Sequence, residues 1–314
     1  MCVRAPARSR RPALSSSRDL LVVAPIPPEL ERRLAADFTL LKRKPEQAER
    51  LPHAVLVTTS MVGADAAMMD ALPDLRLIAC NGTGLDMIDL AAAEARGITV
   101  QNTPDVVTED TADFAIGLTY AALRRIPEAD RFVRAGRWRS ERMTPARRVF
   151  SRRLGIVGLG KIGKAVARRA AGLGMSVAYT ARSPKPDLPY DFHPSAEALA
   201  GAVDILVLCC SGGPETAGLV NGAVLDALGP QGFLINVSRG SVVDEAALLD
   251  ALATGRIAGA GLDVFNNEPG IDERFFTLEN VVLQPHYATV TAESREAMAD
   301  ILHSAIAHQF AALR

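Results

Sequence analysis

Short apolar runs alternate with segments of helical periodicity along most of the chain from Leu20 onward. In the first part of the chain the pattern predicts strands at 20–24, 54–58, 75–80 and 98–101 and helices at 28–36, 64–72 and 90–96. Apolar strands joined by helices are typical of a parallel sheet that is covered on both faces. This part of the sequence therefore predicts a doubly wound α/β domain.

A second α/β series begins at residue 154, with strands predicted at 154–157, 176–179, 204–209, 232–237, 258–264 and 281–283 and helices at 162–173 and 244–253. A long helix connects the two series; Thr108 is suited to cap it and Pro127 to break it. A last helix at 292–312 is expected to return to the first domain. We therefore predict a discontinuous domain of 19–109 and 285–314 and a second domain of 110–284.

The first residues differ from the rest in composition. Arginines stand among Ala, Pro and Ser before Asp19, and no acidic residue precedes it. We expect residues 1–18 to form a disordered leader, because the prolines and the missing apolar stripe argue against an amphipathic helix. A targeting segment has a similar composition, so that alternative stays open.

Charge and cysteine content exclude several classes of function. The formal net charge of -1 provides no bulk basic field for nucleic acid, and the apolar runs are too short to cross a bilayer. The cysteines, Cys2, Cys80, Cys209 and Cys210, have neither zinc-site nor disulfide-framework spacing. We therefore expect no metal, no nucleic-acid or membrane partner, and a cytoplasmic location.

A glycine-rich turn carries the first candidate chemistry. The turn is G-x-G-x-x-G, formed by Gly158, Leu159, Gly160, Lys161, Ile162 and Gly163. It follows a predicted strand and opens a predicted helix, which is the context that dinucleotide binding requires. Gly158 would allow the tight turn, Gly160 the approach of a pyrophosphate, and Gly163 close packing of helix and strand. The alternative is a glycine-rich turn without a ligand.

The end of the next predicted strand bears on the choice of cofactor. An NAD enzyme usually places Asp or Glu here to bind the ribose 2′-hydroxyl, but the nearest acid is Asp187, beyond two prolines. Ala181, Arg182 and Ser183 occupy the strand end instead. A guanidinium and a hydroxyl suit a 2′-phosphate, so we predict NADP, against the alternative of a solvated surface arginine.

Several ordered motifs resemble those of the D-2-hydroxyacid dehydrogenases. They are N-x-S-R-G within 232–240, Asn267-Glu268-Pro269, and Pro285-His286, with further similarity at 81–86 and 261–265. The run Tyr287-Ala288-Thr289 is similar to the NADP-dependent glyoxylate/hydroxypyruvate reductase branch. The resemblance extends from Leu20 to the end of the chain. It implies a Rossmann NAD(P)-binding domain and a flavodoxin-like substrate domain.

The resemblance assigns catalysis to Arg239, Glu268 and His286. Reduction of a 2-keto acid puts negative charge on the ketone oxygen, which the fork of Arg239 is suited to polarise while binding the carboxylate. His286 can donate the proton, and Glu268 can orient the imidazole and favour its charged form. Taken singly, each has a structural alternative: an ion pair for Arg239, a turn for Glu268 and a loop histidine for His286.

Further contacts follow from the same resemblance. Val237, Ser238, Arg239 and Asp263 are expected at the cofactor, with Asp263 at the nicotinamide carboxamide. The amides of Asn81, Gly82, Thr83 and Gly84 are expected to bind the substrate carboxylate together with Arg239 and His286, and the loop 59–63 to line the same cleft. Plain turn chemistry is the alternative for both loops.

The predicted function is NADPH-dependent reduction of a small 2-keto acid to the D-2-hydroxy acid. A segment resembling the dimer region of relatives, Gly136-Arg137-Trp138, implies a symmetric homodimer. Two alternatives stay open: a hydroxyphenylpyruvate-type reductase, and a nucleotide-sensing relative without catalysis, such as the corepressors that share this fold.

Overall fold

The computed structural model describes residues 18–43 and 53–312 and divides into two compact units. The first unit contains the chain up to Pro104 and from Arg295 onward, and the second unit runs from Asp105 to Ser294. The second unit thus begins before residue 110 and ends after residue 284, the bounds expected from the sequence. Thr291 and Ser294 both bond to Asp110, which ties the later residues to this unit. Apart from Arg18, the expected leader lies outside the described residues.

The first unit is built on a parallel sheet. Its elements are β1 (Asp19–Val22), α1 (Pro28–Ala35), β2 (Thr39–Lys42), β3 (Val55–Thr59), α2 (Ala66–Ala71), β4 (Leu77–Asn81), α3 (Leu90–Ala95) and β5 (Thr99–Gln101). Among the described residues the strand order is β2-β1-β3-β4-β5, and every pairing is parallel. This order is the flavodoxin-like form of the doubly wound sheet, which confirms the expected fold class for this unit.

Both faces of this sheet are covered by helices. Successive side chains of a strand point to opposite faces, and Leu20 and Leu21 accordingly belong to different apolar clusters. The cluster containing Leu20 includes Leu30 of α1 and Leu302 of the last helix, α10 (Ala292–Ala312). The cluster containing Leu21 includes Met69 of α2. The uninterrupted apolar strands of the sequence follow from this two-sided burial.

The second unit is a larger parallel sheet with helices on its faces. Its strands are β6 (Arg153–Val157), β7 (Ser176–Thr180), β8 (Asp191–Phe192), β9 (Ile205–Leu208), β10 (Phe233–Asn236), β11 (Gly259–Leu262) and β12 (Val281–Leu283). The helices are α4 (Thr108–Arg124), α5 (Ile126–Arg134), α6 (Lys161–Gly172), α7 (Ala196–Ala200), α8 (Gly222–Leu228), α9 (Glu245–Ala253) and the start of α10. In the described chain the strand order is β12-β11-β10-β9-β6-β7-β8, all parallel, which confirms the Rossmann arrangement.

The start and end of the connecting helix differ from the prediction. Thr108 is the first residue of α4 rather than its cap; Val107 occupies the cap position, and no side chain caps the helix. At the other end the chain turns through Arg125 in the left-handed conformation, with φ of 53°, and Pro127 then lies in the first turn of α5. Proline is well tolerated there because the first helical N–H groups have no intrahelical partner. Pro127 therefore starts a new helix as well as ending α4.

Ion pairs join α4 to α6, the helix that follows the glycine-rich turn. Arg169 bonds to Asp113 and to Glu109, and Arg168 also bonds to Glu109. Most of these side chains are solvent-exposed, so each pair contributes little, on the order of 0.2–1 kcal/mol. They add weak polar contacts between two facing helices.

Two further properties concern the described residues alone. Cys209 and Cys210 are thiols, and burial raises the pKa of both. No helix in residues 18–43 and 53–312 combines the length and apolarity needed to cross a membrane.

Candidate functional site

The glycine-rich turn closes tightly between β6 and α6. Gly158 has φ of +95°, and a Cβ there would lie 2.7 Å from the backbone of Cys210. A Cβ on Gly163 would lie 2.2 Å from the Gly158 carbonyl oxygen. Gly160 differs, because a Cβ there would meet nothing within 4 Å. Two of the glycines are thus required by packing, and the middle one borders open space.

That open space lies at the positive end of α6. Gly160 is the N-cap residue, and no side chain accepts a hydrogen bond from the first amides of the helix. The exposed side chain of Lys161 is paired with Asp105 at 2.5 Å. Free amides, a helix dipole and room for close approach suit a phosphate group. The residues present therefore fit the pyrophosphate of a dinucleotide.

The turn after β7 presents a cation to solvent. Arg182 and Ser183 are exposed, and neither has a hydrogen-bond partner among the residues that the structure describes. The Tyr179 hydroxyl accepts a hydrogen bond from the amide of Lys185 at 2.6 Å, which holds the turn against the buried ring. Arg182 and Ser183 are therefore available to an incoming anionic group.

The end of β10 is organised by the side chain of Asn236. Its Oδ1 accepts hydrogen bonds from the amide and the hydroxyl of Ser238, and its Nδ2 donates to the Arg239 carbonyl oxygen. Arg239 Nη1 donates to the Ser238 carbonyl oxygen at 2.8 Å. Gly240 follows in close contact with Phe265, where a Cβ would lie 2.0 Å from the carbonyl carbon. The backbone that carries Arg239 is thereby fixed on both sides.

Glu268 and His286 are in direct contact. Glu268 Oε2 lies 2.7 Å from His286 Nδ1, and Glu268 Oε1 accepts a hydrogen bond from the Phe265 amide at 2.8 Å. Burial alone would raise the pKa of Glu268, but the contact with His286 and the charge of Arg239 outweigh burial and lower it. The carboxylate thus stays ionised at neutral pH. With Nδ1 engaged, Nε2 is the ring nitrogen left for another partner.

Asp263 anchors the loop that carries His286. One carboxylate oxygen accepts from the Tyr287 amide at 2.6 Å and the other from the Ala288 amide at 3.0 Å, while the Asp263 carbonyl oxygen accepts from the His286 amide. Asp263 is only 1% exposed, and burial raises its pKa. His286 itself has φ of 53°, a conformation that these bonds hold. The contacts of Asp263 in the structure are therefore to the loop.

The other residues predicted at the cofactor are also largely enclosed. Val237 is 8% and Ser238 6% exposed, and the Ser238 hydroxyl bonds to Asn236. Their cofactor contacts stay predictions. Asn236 is the first residue of the N-x-S-R-G motif, so the sequence already singled out its position. Only the hydrogen bonds of its side chain show that it organises the turn.

The predicted substrate loop lies in the first unit, after β4. Gly82 has φ of +143°, and a Cβ there would lie 2.5 Å from Ser60 Oγ, which places the loop beside the residues that follow β3. Thr83 Oγ1 donates to the Thr103 carbonyl oxygen, and Asn102 Nδ2 donates to the Thr83 carbonyl oxygen. The amides of Thr83 and Gly84 donate to none of the described residues. They fit the anion-binding use that the sequence predicts.

The chain is similar to known proteins over most of its length. The family model of the D-isomer specific 2-hydroxyacid dehydrogenase NAD binding domain matches residues 116–288. The chain is 44% identical to hydroxyphenylpyruvate reductase of Plectranthus scutellarioides, over 90% of this chain and 93% of that protein. It is also 44% identical to 2-ketogluconate reductase of Gluconobacter oxydans, over 92% and 94%.

A solved structure is similar in fold and in sequence. NADPH-dependent glyoxylate/hydroxypyruvate reductase of Sinorhizobium meliloti, crystallised with NADP and malonate, superposes with a TM-score of 0.84. It is 43% identical, and the match covers 91% of this chain and 92% of that one.

The contrast between Gly163 and Gly160 can be tested by a matched pair of substitutions. Gly163→Ala should lower the thermal unfolding midpoint, because the methyl group overlaps the Gly158 carbonyl oxygen and overpacking costs about 1–3 kcal/mol. Gly160→Ala should unfold like the wild type but bind a dinucleotide more weakly, because its methyl group enters the open space. Calorimetric unfolding and titration calorimetry measure the two effects. Equal behaviour of the two variants would contradict the packing argument.

Proposed function

Because the chain belongs to the D-isomer specific 2-hydroxyacid dehydrogenase family, we propose that it reduces a small 2-keto acid of the glyoxylate or hydroxypyruvate type to the D-2-hydroxy acid with NADPH. The observation that carries the proposal is the contact of 2.7 Å between Glu268 and His286. It lies in the same unit as the glycine-rich turn and Arg239. A proton donor, a cation and a phosphate-binding turn are the protein groups that this reaction needs.

Glycine and arginine residues support the choice of cofactor. The glycine-rich turn would bind the pyrophosphate at the start of α6; it is formed by Gly158, Leu159, Gly160, Lys161, Ile162 and Gly163. Arg182 and Ser183 would bind the 2′-phosphate at the end of β7, where residues 181–186 include no Asp or Glu. The similar reductase of Sinorhizobium meliloti was crystallised with NADP. Once bound, NADPH would supply the hydride.

The chain's own contribution is binding, orientation and the proton. Arg239 would hold the substrate carboxylate and polarise the ketone oxygen, which gains negative charge as the carbonyl carbon is reduced. His286 Nε2 would donate the proton that completes the new hydroxyl group. Glu268 would keep the imidazole oriented through Nδ1 and favour its protonated form.

We also propose a symmetric homodimer in the cytoplasm. Trp138 is 63% exposed, and Ile126 and Val133 of the preceding helix α5 are each 52% exposed. Apolar side chains on one short stretch are typical of an interface. Light scattering on the purified protein measures its mass. The location rests on the cysteine pattern of the sequence.

A substrate panel with one variant tests the reaction. The wild type should oxidise NADPH with glyoxylate or hydroxypyruvate, while His286→Ala should be slower by roughly 10²–10⁴-fold because it lacks the proton donor. Cofactor binding should persist in the variant, and its fluorescence titration serves as the control. Hydroxyphenylpyruvate and 2-ketogluconate complete the panel, since relatives carry those names. Absence of turnover with every acid would transfer support to the nucleotide-sensing alternative.

The position of Arg182 predicts that the protein binds NADPH in preference to NADH. Arg182→Ala should weaken NADPH binding by about 1.5–3 kcal/mol, the worth of a hydrogen bond to a charged group, and leave NADH binding nearly unchanged. Arg148, an exposed arginine before β6, gives the matched control Arg148→Ala, which should affect neither cofactor. Dissociation constants for both cofactors measure this. Equally tight binding of NADH and NADPH by the wild type would refute the function given to Arg182.

Glu268 should set the pH range of the reaction. The lowered pKa of Glu268 keeps its carboxylate charged above the acid range, 2.7 Å from Nδ1 of His286. Reduction uses the protonated imidazole, so the rate falls as pH rises and the proton is lost. Glu268→Gln removes the favourable charge, and the proton should then be lost at lower pH. The break in the pH–rate profile of this variant should therefore lie below that of the wild type. An unchanged break would mean that Glu268 does not act on His286.

A further inference from the structure

A partly buried cluster of polar groups joins the first turns of α4 and α10. The carboxylate of Asp110 accepts hydrogen bonds from Thr291 Oγ1 and from Ser294 Oγ, each at 2.5 Å. Ser294 is only 2% exposed, and its amide donates to Thr291 Oγ1 at 3.1 Å. Asp110 is thus bonded to residues far along the chain.

Charge strengthens the cluster beyond the hydrogen bonds. Asp110 lies in the first turn of α4, Thr291 immediately precedes α10, and Ser294 lies in the first turn of α10. The carboxylate therefore faces the positive ends of two helices, where a negative charge is stabilised. Hydroxyl bonds to a carboxylate are also stronger than bonds between neutral groups. The cluster is a firm point of attachment for the segment that leads into α10.

The attached segment is the one that carries His286. A continuous set of hydrogen bonds runs from the imidazole loop to the cluster. Asp263 holds the amides of Tyr287 and Ala288, the Val290 amide donates to the Tyr287 carbonyl oxygen, and Thr291 then bonds to Asp110. The loop is therefore fixed at both ends, by Asp263 at its start and by Asp110 at its end.

We propose that Asp110 is a positioning residue for His286, which holds the end of the segment 286–294 so that Nε2 of the imidazole is correctly placed for proton transfer. This inference rests on the proposed function in giving His286 the proton-donor role. Asp110 touches neither the imidazole nor the glycine-rich turn, so its loss should change the turnover of bound substrate and leave cofactor affinity unaltered. Misplacement of a reacting group by about 1 Å can cost on the order of 10²-fold in rate.

The first experiment compares Asp110→Ala with Asp113→Ala, a substitution one turn further along α4 that removes an exposed partner of Arg169. Asp110→Ala should lower kcat by about 10- to 100-fold and keep the dissociation constant for NADPH within about twofold. Asp113→Ala should retain the wild-type kcat. The decisive test introduces Asp110→Ala into the His286→Ala variant, where it should cause no further loss of kcat. An undiminished loss in that background, or a wild-type kcat for Asp110→Ala, would overturn the proposal.

A second pair of variants tests the proposal independently in case Asp110→Ala does not fold. Thr291→Ser keeps the hydroxyl that bonds to Asp110 and should behave as the wild type. Thr291→Val is isosteric but lacks that hydroxyl, and it should lower kcat in the same direction as Asp110→Ala. Equal kcat values for the serine and valine variants would count against the proposal.

Hydrogen exchange separates this proposal from the proposed function. The Tyr287 and Ala288 amides should exchange at least about tenfold faster in Asp110→Ala than in Asp113→Ala, whether or not any keto acid is turned over. Unchanged exchange would overturn the positioning role even in an active enzyme. An inactive wild type with faster exchange in Asp110→Ala would instead overturn the proposed function and leave the attachment of the loop intact.

Discussion

The contact between Glu268 and His286 is the interaction on which the candidate chemistry depends. A carboxylate 2.7 Å from one imidazole nitrogen decides which nitrogen remains for another partner. The contact requires two loops to be held at a fixed separation, one after β11 and one after β12. The Phe265 amide fixes Glu268, and Asp263 fixes the backbone beside His286. The site therefore depends on backbone hydrogen bonds as much as on its ionisable groups.

Two carboxylates beside the same loop, the buried Asp263 and the partly buried Glu268, have pKa values displaced in opposite directions. Burial dominates at Asp263 and raises its pKa, although two amides donate to it. At Glu268 the imidazole and the charge of Arg239 outweigh burial and lower the pKa. Environments that separate the pKa values of neighbouring acids are a mark of functional sites. Here Glu268 faces the imidazole, and Asp263 holds the backbone of the loop.

Local patterns in the sequence predicted the parts of the molecule that local chemistry determines. The buried strands and the glycine-rich turn were found in this way, whereas Glu268 and His286 were identified through the resemblance to a known family. The edge strand β2 was missed, because its residues are only partly buried and lack a continuous apolar run. The short helix α7 was missed although Ser195 caps it. The bonds from Asp110 to Thr291 and Ser294 could not be predicted, because they join positions far apart in sequence and belong to no motif.

The order of strands explains how separate motifs form one site. In a parallel sheet all loops that follow strands lie at one edge, and the order β12-β11-β10-β9-β6-β7 arranges them in space. His286 follows β12, Asp263 follows β11, and Arg239 follows β10. The glycine-rich turn follows β6 at the point where the strand order reverses, and Arg182 follows β7. The groups proposed to donate the proton and to bind the substrate, the pyrophosphate and the 2′-phosphate thus follow one another along this edge, in the order in which an extended dinucleotide and its substrate would meet them. The topology of the sheet determines this order. Once the strand order is known, motifs that lie far apart in sequence can therefore be assigned their positions along the edge.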